Sequence, residues 1–146
     1  MKKIYCLLFA AAGILCGGCV KADPEFVHTG TMIQACYCVS KTYTTQQVAG
    51  AIYEFDKDGN EVYGDALNEK SVEGGYGLII FNIPNSLKRY IDIKECKVNA
   101  NTQLDQFITP PLTGLKDISG DGIIVCVEQK SAGTYRYYRI KGQYND

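Results

Sequence analysis

The chain has 146 residues and a net charge of −1, with 11 Tyr, 15 Gly and no Trp. This length suits one domain with a buried core. No basic run is present, so nucleic-acid binding lacks electrostatic support.

Residues 1–22 are typical of a bacterial secretion signal. Lys2 and Lys3 precede an apolar segment, residues 4–16, that ends in small residues. A helix that spans a bilayer needs about 20 apolar residues. This shorter segment therefore predicts an export signal rather than a permanent membrane span.

The signal ends at a candidate lipid-attachment residue, Cys19. The run Cys16-Gly17-Gly18-Cys19 resembles the lipobox of bacterial lipoproteins, although Leu usually stands where this chain has Cys16. The resemblance implies acylation of Cys19 by several chains, which anchors a protein stably to a membrane. We then expect a lipoprotein of the cell envelope, in the outer membrane. The alternative is cleavage after Ala22, which would release a soluble protein.

The mature chain from Cys19 has 128 residues and a net charge of −3. Residues 23–30 predict a linker, and residues 31–146 predict a single domain. Four cysteines remain in that domain: Cys36, Cys38, Cys96 and Cys126. An even number in an exported domain permits disulfides. Cys36 and Cys38 would share a strand face and are poorly placed to pair with each other. Two alternatives remain open. One is a disulfide from Cys36 or Cys38 to Cys96 or Cys126, and the other is that all four cysteines are buried free thiols.

Short strand patterns run through the first half of the domain. Residues 31–39 are apolar on both faces, which indicates an interior strand. Residues 49–55 alternate, and residues 61–63 resume the pattern after a turn that contains Asp58-Gly59. That order predicts a β-hairpin. Residues 65–73 form a loop or one helical turn, and residues 77–84 form a dense core strand that Pro84 closes.

The second half continues in the same manner. Residues 96–100 predict a half-buried strand, and residues 107–109 precede a rigid break at Pro110-Pro111. After a Gly-containing loop, residues 123–128 predict a second core strand and residues 134–141 a Tyr-rich last strand. About seven short strands without helical periodicity predict an all-β fold, an antiparallel β-sandwich.

From about residue 78 the pattern resembles the immunoglobulin-like domain of uncharacterised lipoproteins of Bacteroidota. The matching features are an apolar strand that ends in Pro84, a turn with Asp92, the strand 96–100, a segment with Pro110, a turn with Asp117, and the final strands 123–128 and 135–140. Residues 130–133 replace the acidic Asp-Gly turn that usually precedes the last strand of this family. The resemblance implies an immunoglobulin-like sandwich without enzymatic activity, near outer-membrane glycan-uptake and adhesion proteins.

No constellation for catalysis or metal binding is apparent. An EF-hand that began at Asp56 would need Gly and Glu where the chain has Glu61 and Leu67, and a hairpin turn explains the same residues. His28 is the only histidine and lies in the predicted linker. Cysteine catalysis, or a zinc site with Cys36 and Cys38, therefore has little support. The sequence predicts a protein that is not an enzyme, with no metal and no cofactor.

The last strand carries a candidate binding surface. It places aromatic and cationic groups side by side: Tyr135, Arg136, Tyr137, Tyr138 and Arg139. Aromatic faces bind sugar rings, and Tyr and Arg are enriched at protein interfaces. The predicted function is a lipid-anchored module that binds a glycan or a surface protein. The alternative explanation of the same residues is that they pack against side chains of neighbouring strands and have no role in binding. A structural spacer or assembly subunit is the alternative function.

Overall fold

The computed structural model describes residues 30–145. The predicted signal, Cys19 and residues 23–29 of the predicted linker lie outside this range. Nine strands and one short 3₁₀ helix (Gly64–Ala66) occur within it. The strands are β1 (Ala35–Val39), β2 (Gln47–Ala49), β3 (Ala51–Phe55), β4 (Glu61–Val62), β5 (Tyr76–Ile83), β6 (Lys97–Asn101), β7 (Gln106–Thr109), β8 (Ile123–Gln129) and β9 (Thr134–Tyr144).

Two sheets pack together over one core. The smaller sheet has the order β2-β1-β6, and the larger has the order β4-β3-β5-β9-β8-β7. Strands β2 and β3 are separated by Gly50 alone, so the chain passes from one sheet to the other at this residue. The all-β, two-sheet arrangement predicted from the sequence is confirmed.

The strand directions correct one part of that prediction. The sequence predicted a purely antiparallel sandwich, but β5 and β9 pair in parallel at the centre of the larger sheet. Parallel neighbours need a long connection, because the chain must return to its starting end. Residues 84–133 supply that connection and themselves form β6, β7 and β8. A local pattern of alternation carries no information about this long-range pairing.

The core lies between the sheets and follows the period of two along each strand. In β5 the buried residues are Ile79, Phe81 and Ile83, and in β8 they are Val125 and Val127. Burying each large apolar side chain stabilises the fold by about 1.5–3 kcal/mol. The two dense apolar segments that the sequence analysis identified therefore form β5 and β8, the strands on either side of β9 in the larger sheet.

The predicted hairpin is also confirmed. Strands β3 and β4 pair in antiparallel fashion, with Phe55 opposite Glu61. The Asp56 carboxylate accepts the amides of Asp58 and Asn60, both at 2.9 Å. Gly59 has φ of 83°, a conformation that glycine adopts without strain. These contacts assign the acidic loop to turn formation.

The four cysteines of the domain are free thiols in the structure. Cys36, Cys38 and Cys96 are buried in the core. Cys126 lies on the outer face of the larger sheet, from which it cannot reach the other three. A hydrogen bond between the thiols of Cys38 and Cys96 raises the pKa of Cys38 and lowers that of Cys96. Burial raises the pKa of Cys36 to about 12.

Candidate binding face

Strand β9 divides the predicted binding residues between its two faces. Tyr135 and Tyr137 are 65% and 51% exposed, and Arg139 is exposed beside them. Arg136 and Tyr138 are 3% and 0% exposed, because alternate residues of a strand point to opposite faces. The prediction of one continuous surface from Tyr135 to Arg139 is therefore wrong for Arg136 and Tyr138. The remaining three residues lie on the outer face of the larger sheet.

Neighbouring strands extend these tyrosines into a row across the sheet. The register places Phe55 beside Tyr76, and Tyr76 beside Tyr137. The rings of Phe55 and Tyr76 stack with centroids 4.9 Å apart and planes 15° apart. On the other side of Tyr137 the row continues with Cys126 and Thr109. Adjacent strands are about 4.8 Å apart, so three rings extend over about 10 Å.

A second row runs beside the first. Tyr135 lies opposite Glu128, and Glu128 lies opposite Phe107. The rings of Tyr135 and Tyr137 meet edge to face at 5.8 Å between centroids. Lys130 places its ammonium 4.3 Å from the centre of the Phe107 ring. We call the surface formed by Phe55, Tyr76, Phe107, Tyr135 and Tyr137 the aromatic face.

Aliphatic and cationic groups border the aromatic face. A third row contains Tyr53, Leu78, Arg139 and Ile124. Ile124 is about half exposed, and Arg139 donates to the backbone oxygen of Asp121 at 2.8 Å. The flat rings can pack against an apolar surface of a ligand. Glu128 and Arg139, at the edge of the rings, can form charged hydrogen bonds with the same ligand.

A buried polar network supports the aromatic face from below. Arg136 donates from Nε to Glu54 Oε2 at 2.9 Å, and Tyr138 donates from its hydroxyl to Glu54 Oε1 at 2.5 Å. Arg136 also donates to three backbone oxygens, those of Val72, Phe55 and Tyr76, at 2.5–3.0 Å. Two of these carbonyls belong to residues whose rings form the face. Arg136 is therefore a structural residue that fixes the backbone under the rings.

The network also shifts the protonation of its members. Desolvation raises the pKa of Glu54, and the hydrogen bond from Tyr138 and the charge of Arg136 offset part of this effect. Burial and the nearby Glu54 carboxylate raise the pKa of Tyr138. Tyr138 therefore stays a hydrogen-bond donor at neutral pH. Its hydroxyl also accepts the amide of Ile33 at 3.0 Å, which ties β9 to the segment that precedes β1.

A groove of about 750 Å³ runs along one side of the aromatic face. Tyr135 and Tyr137 form one wall, and residues 69–75 form the other. The Glu69 carboxylate accepts the amides of Thr31 and Met32 at 3.2 and 3.3 Å, so it holds the start of the domain beside this groove. Pockets of this volume are large enough for small ligands.

No group of three His, Cys, Asp or Glu side chains that could hold a metal ion occurs among residues 30–145. In the same range, no helix is long and apolar enough to cross a membrane. What the described surface offers is aromatic contact area with charged groups at its edge.

Sequence reasoning missed most of the residues of the face. The sequence pattern predicts only a strand face for Phe55 and a short segment before a break for Phe107, and Tyr76 falls just before a predicted strand. The alternation of each segment indicated which residues could face outward. Which strands are neighbours decided that Phe55, Tyr76 and Tyr137 share a row, and a local pattern does not contain that information.

Comparisons with family models, with curated proteins and with solved structures gave no match to this chain.

Proposed function

We propose that this chain is an exported, lipid-anchored binding module without enzymatic activity, and that its aromatic face binds a glycan. The observation that carries the proposal is the row of Phe55, Tyr76 and Tyr137 on an outer sheet face that no element within residues 30–145 covers. A folded domain gains no stability from large rings left in water, so such a patch favours a role in binding. The row is comparable in length with a disaccharide, and sugar rings pack well on aromatic rings.

Anchoring and location rest on the sequence. The signal and the lipobox-like ending support attachment at Cys19 and a position in the outer membrane. Replacement Cys19→Ala should then abolish fatty-acid labelling of the protein in cells. Labelling that continues in this variant would contradict the lipobox assignment.

We also propose that the domain is immunoglobulin-like. Two packed sheets and an antiparallel β8–β9 pair at the end of the chain support this assignment. The division of strands into six and three differs from the four and three of the immunoglobulin constant type. The longer N-terminal half, which contributes β1 to β4, accounts for the additional strands.

A protein-binding role, as a subunit of a surface assembly, is the second candidate. The observation that favours it is the aliphatic border of the aromatic face, where Ile124 is exposed and Leu78 half-buried. Aliphatic side chains add little to sugar binding but are ordinary components of a protein interface.

A glycan array with the exported protein, purified in detergent, tests the first candidate. We expect binding to a neutral glycan that Tyr137→Ala weakens by about ten-fold, since ring contacts contribute about 1 kcal/mol or more each. The control is Tyr63→Ala, because Tyr63 is 73% exposed and lies outside the aromatic face. Binding to no glycan would contradict the first candidate. Equal losses in the two variants would contradict the site.

A further inference from the structure

A second cavity lies at the opposite end of β9 from the aromatic face. Strand β9 has 11 residues, so Tyr135 near its start and Tyr144 at its end are about 30 Å apart. Tyr144, Tyr43 and Tyr90 line this cavity together with Lys88 and Arg89. Its volume is about 440 Å³. We call it the end pocket.

The aromatic walls of the end pocket are held in place by hydrogen bonds. The Tyr144 hydroxyl accepts the amide of Ile93 at 3.2 Å and donates to the backbone oxygen of Ile91 at 3.3 Å. The rings of Tyr43 and Tyr90 meet edge to face, with centroids 5.3 Å apart. The amide of Tyr43 donates to the hydroxyl of Ser40, which is buried, at 3.0 Å. A ligand would therefore meet walls that are largely preformed.

Two cations of the end pocket form no ion pair with a carboxylate of residues 30–145. Lys88 Nζ lies 4.9 Å from the centre of the Tyr144 ring, and Arg89 Cζ lies 4.6 Å from that of Tyr90. The ion pairs of the described residues are Lys41 with Glu95 and Arg136 with Glu54. Lys88 and Arg89 thus keep their N–H donors available while the rings hold them at the pocket.

The remaining charges of the end pocket offset only part of the charge of these two cations. Glu95 is neutralised by Lys41. The Asp92 carboxylate accepts the amide of Lys94 at 2.9 Å in a local turn. The lining therefore holds three cations and two carboxylates, in a chain whose net charge is −1. This local excess of positive charge favours an anionic ligand.

We propose that the end pocket binds an acidic saccharide, a sugar ring that carries a carboxylate or sulfate group. The half-exposed ring of Tyr43 offers a flat surface for the sugar, and Lys88 and Arg89 offer donors for its anionic group. A cavity of 440 Å³ is larger than a bare inorganic anion needs and falls within the usual range for small-molecule sites. This inference is independent of the aromatic face.

Isothermal titration of the exported protein in detergent tests the proposal. The probes are a uronic-acid oligosaccharide, a sulfated oligosaccharide and a neutral oligosaccharide of the same length. We expect at least one acidic probe to bind more tightly than the neutral one, with an affinity that falls as salt rises. Replacement Arg89→Gln or Lys88→Gln should weaken that binding by about ten-fold, the loss of one charge-assisted hydrogen bond.

Matched variants separate this site from others. Lys57→Gln removes an exposed lysine of the β3–β4 turn and should leave the affinity within about two-fold. Loss of binding in Tyr137→Ala but not in Arg89→Gln would assign the acidic probe to the aromatic face and overturn the proposal. Equal affinity for neutral and acidic probes, or no binding of either acidic probe, would also overturn it. Stronger binding to phosphatidylglycerol vesicles than to either acidic probe would replace the saccharide with a lipid surface.

Discussion

The buried pair of Arg136 and Glu54 provides the sharpest test of how this fold is held together. Replacement Arg136→Met keeps an unbranched side chain of similar reach but removes the guanidinium. The Glu54 carboxylate then stays buried without its cation, and three backbone oxygens lose their donor. Breaking a buried ion pair from one side costs about 3–5 kcal/mol.

That cost is a large fraction of the free energy of unfolding of an ordinary domain, which is about 5–15 kcal/mol. We therefore expect Arg136→Met to lower the free energy of unfolding by at least 3 kcal/mol, about a third of a typical value. The double variant Arg136→Met with Glu54→Gln should lose less than the single variant, because it leaves no unpaired charge in the core. Together with the single variant Glu54→Gln, these variants form a double-mutant cycle that measures the free energy of interaction between Arg136 and Glu54.

Urea unfolding of the purified protein, followed by circular dichroism, gives these free energies. Arg139→Met is the matched control, since Arg139 lies on the same strand but faces solvent and donates to a single backbone oxygen. We expect that control to change stability by less than about 0.5 kcal/mol. A loss below about 1 kcal/mol in Arg136→Met, or equal losses in Arg136→Met and Arg139→Met, would refute the argument.

Three further predictions concern packing, thiols and acid. Gly77→Ala should cost about 1–3 kcal/mol in urea unfolding, because its Cβ would lie 2.0 Å from the Tyr138 ring; a neutral effect would contradict this packing. Cys126 alone among the described thiols should react with a thiol reagent in the folded protein, and four should react after unfolding; fewer than four would indicate a disulfide. The amide of Asn60 holds the pKa of Asp56 below its ordinary 3.8, so this carboxylate contributes stability above that pH and loses it as pH falls through the lowered value. Asp56→Ala should flatten the fall in stability on acidification, and an unchanged acid profile would contradict the assignment.

The local structure of this domain follows directly from its sequence. The alternation of residues 123–128 and 134–141 predicts strands, and Asp58-Gly59 predicts the hairpin, because side-chain period and turn geometry depend on near neighbours in the chain. The predicted export signal likewise depends only on the local sequence. Secretion, anchoring at Cys19 and the choice of ligand stay predictions.

The tertiary structure decided which strands are neighbours and which faces are covered. It placed β5 parallel to β9, buried Arg136 and Tyr138 beneath the sheet, and brought Phe55, Tyr76 and Tyr137 into one row. It also put Tyr144 beside Lys88 and Arg89 around one cavity, although Tyr144 is far from these two residues along the chain. Pairing between distant strands depends on the burial of the whole core, which no local pattern encodes. The sequence therefore predicted most of the strands of this domain, although residues 49–55, predicted as one strand, divide at Gly50 between β2 and β3. It did not predict how distant residues combine into the two candidate binding sites.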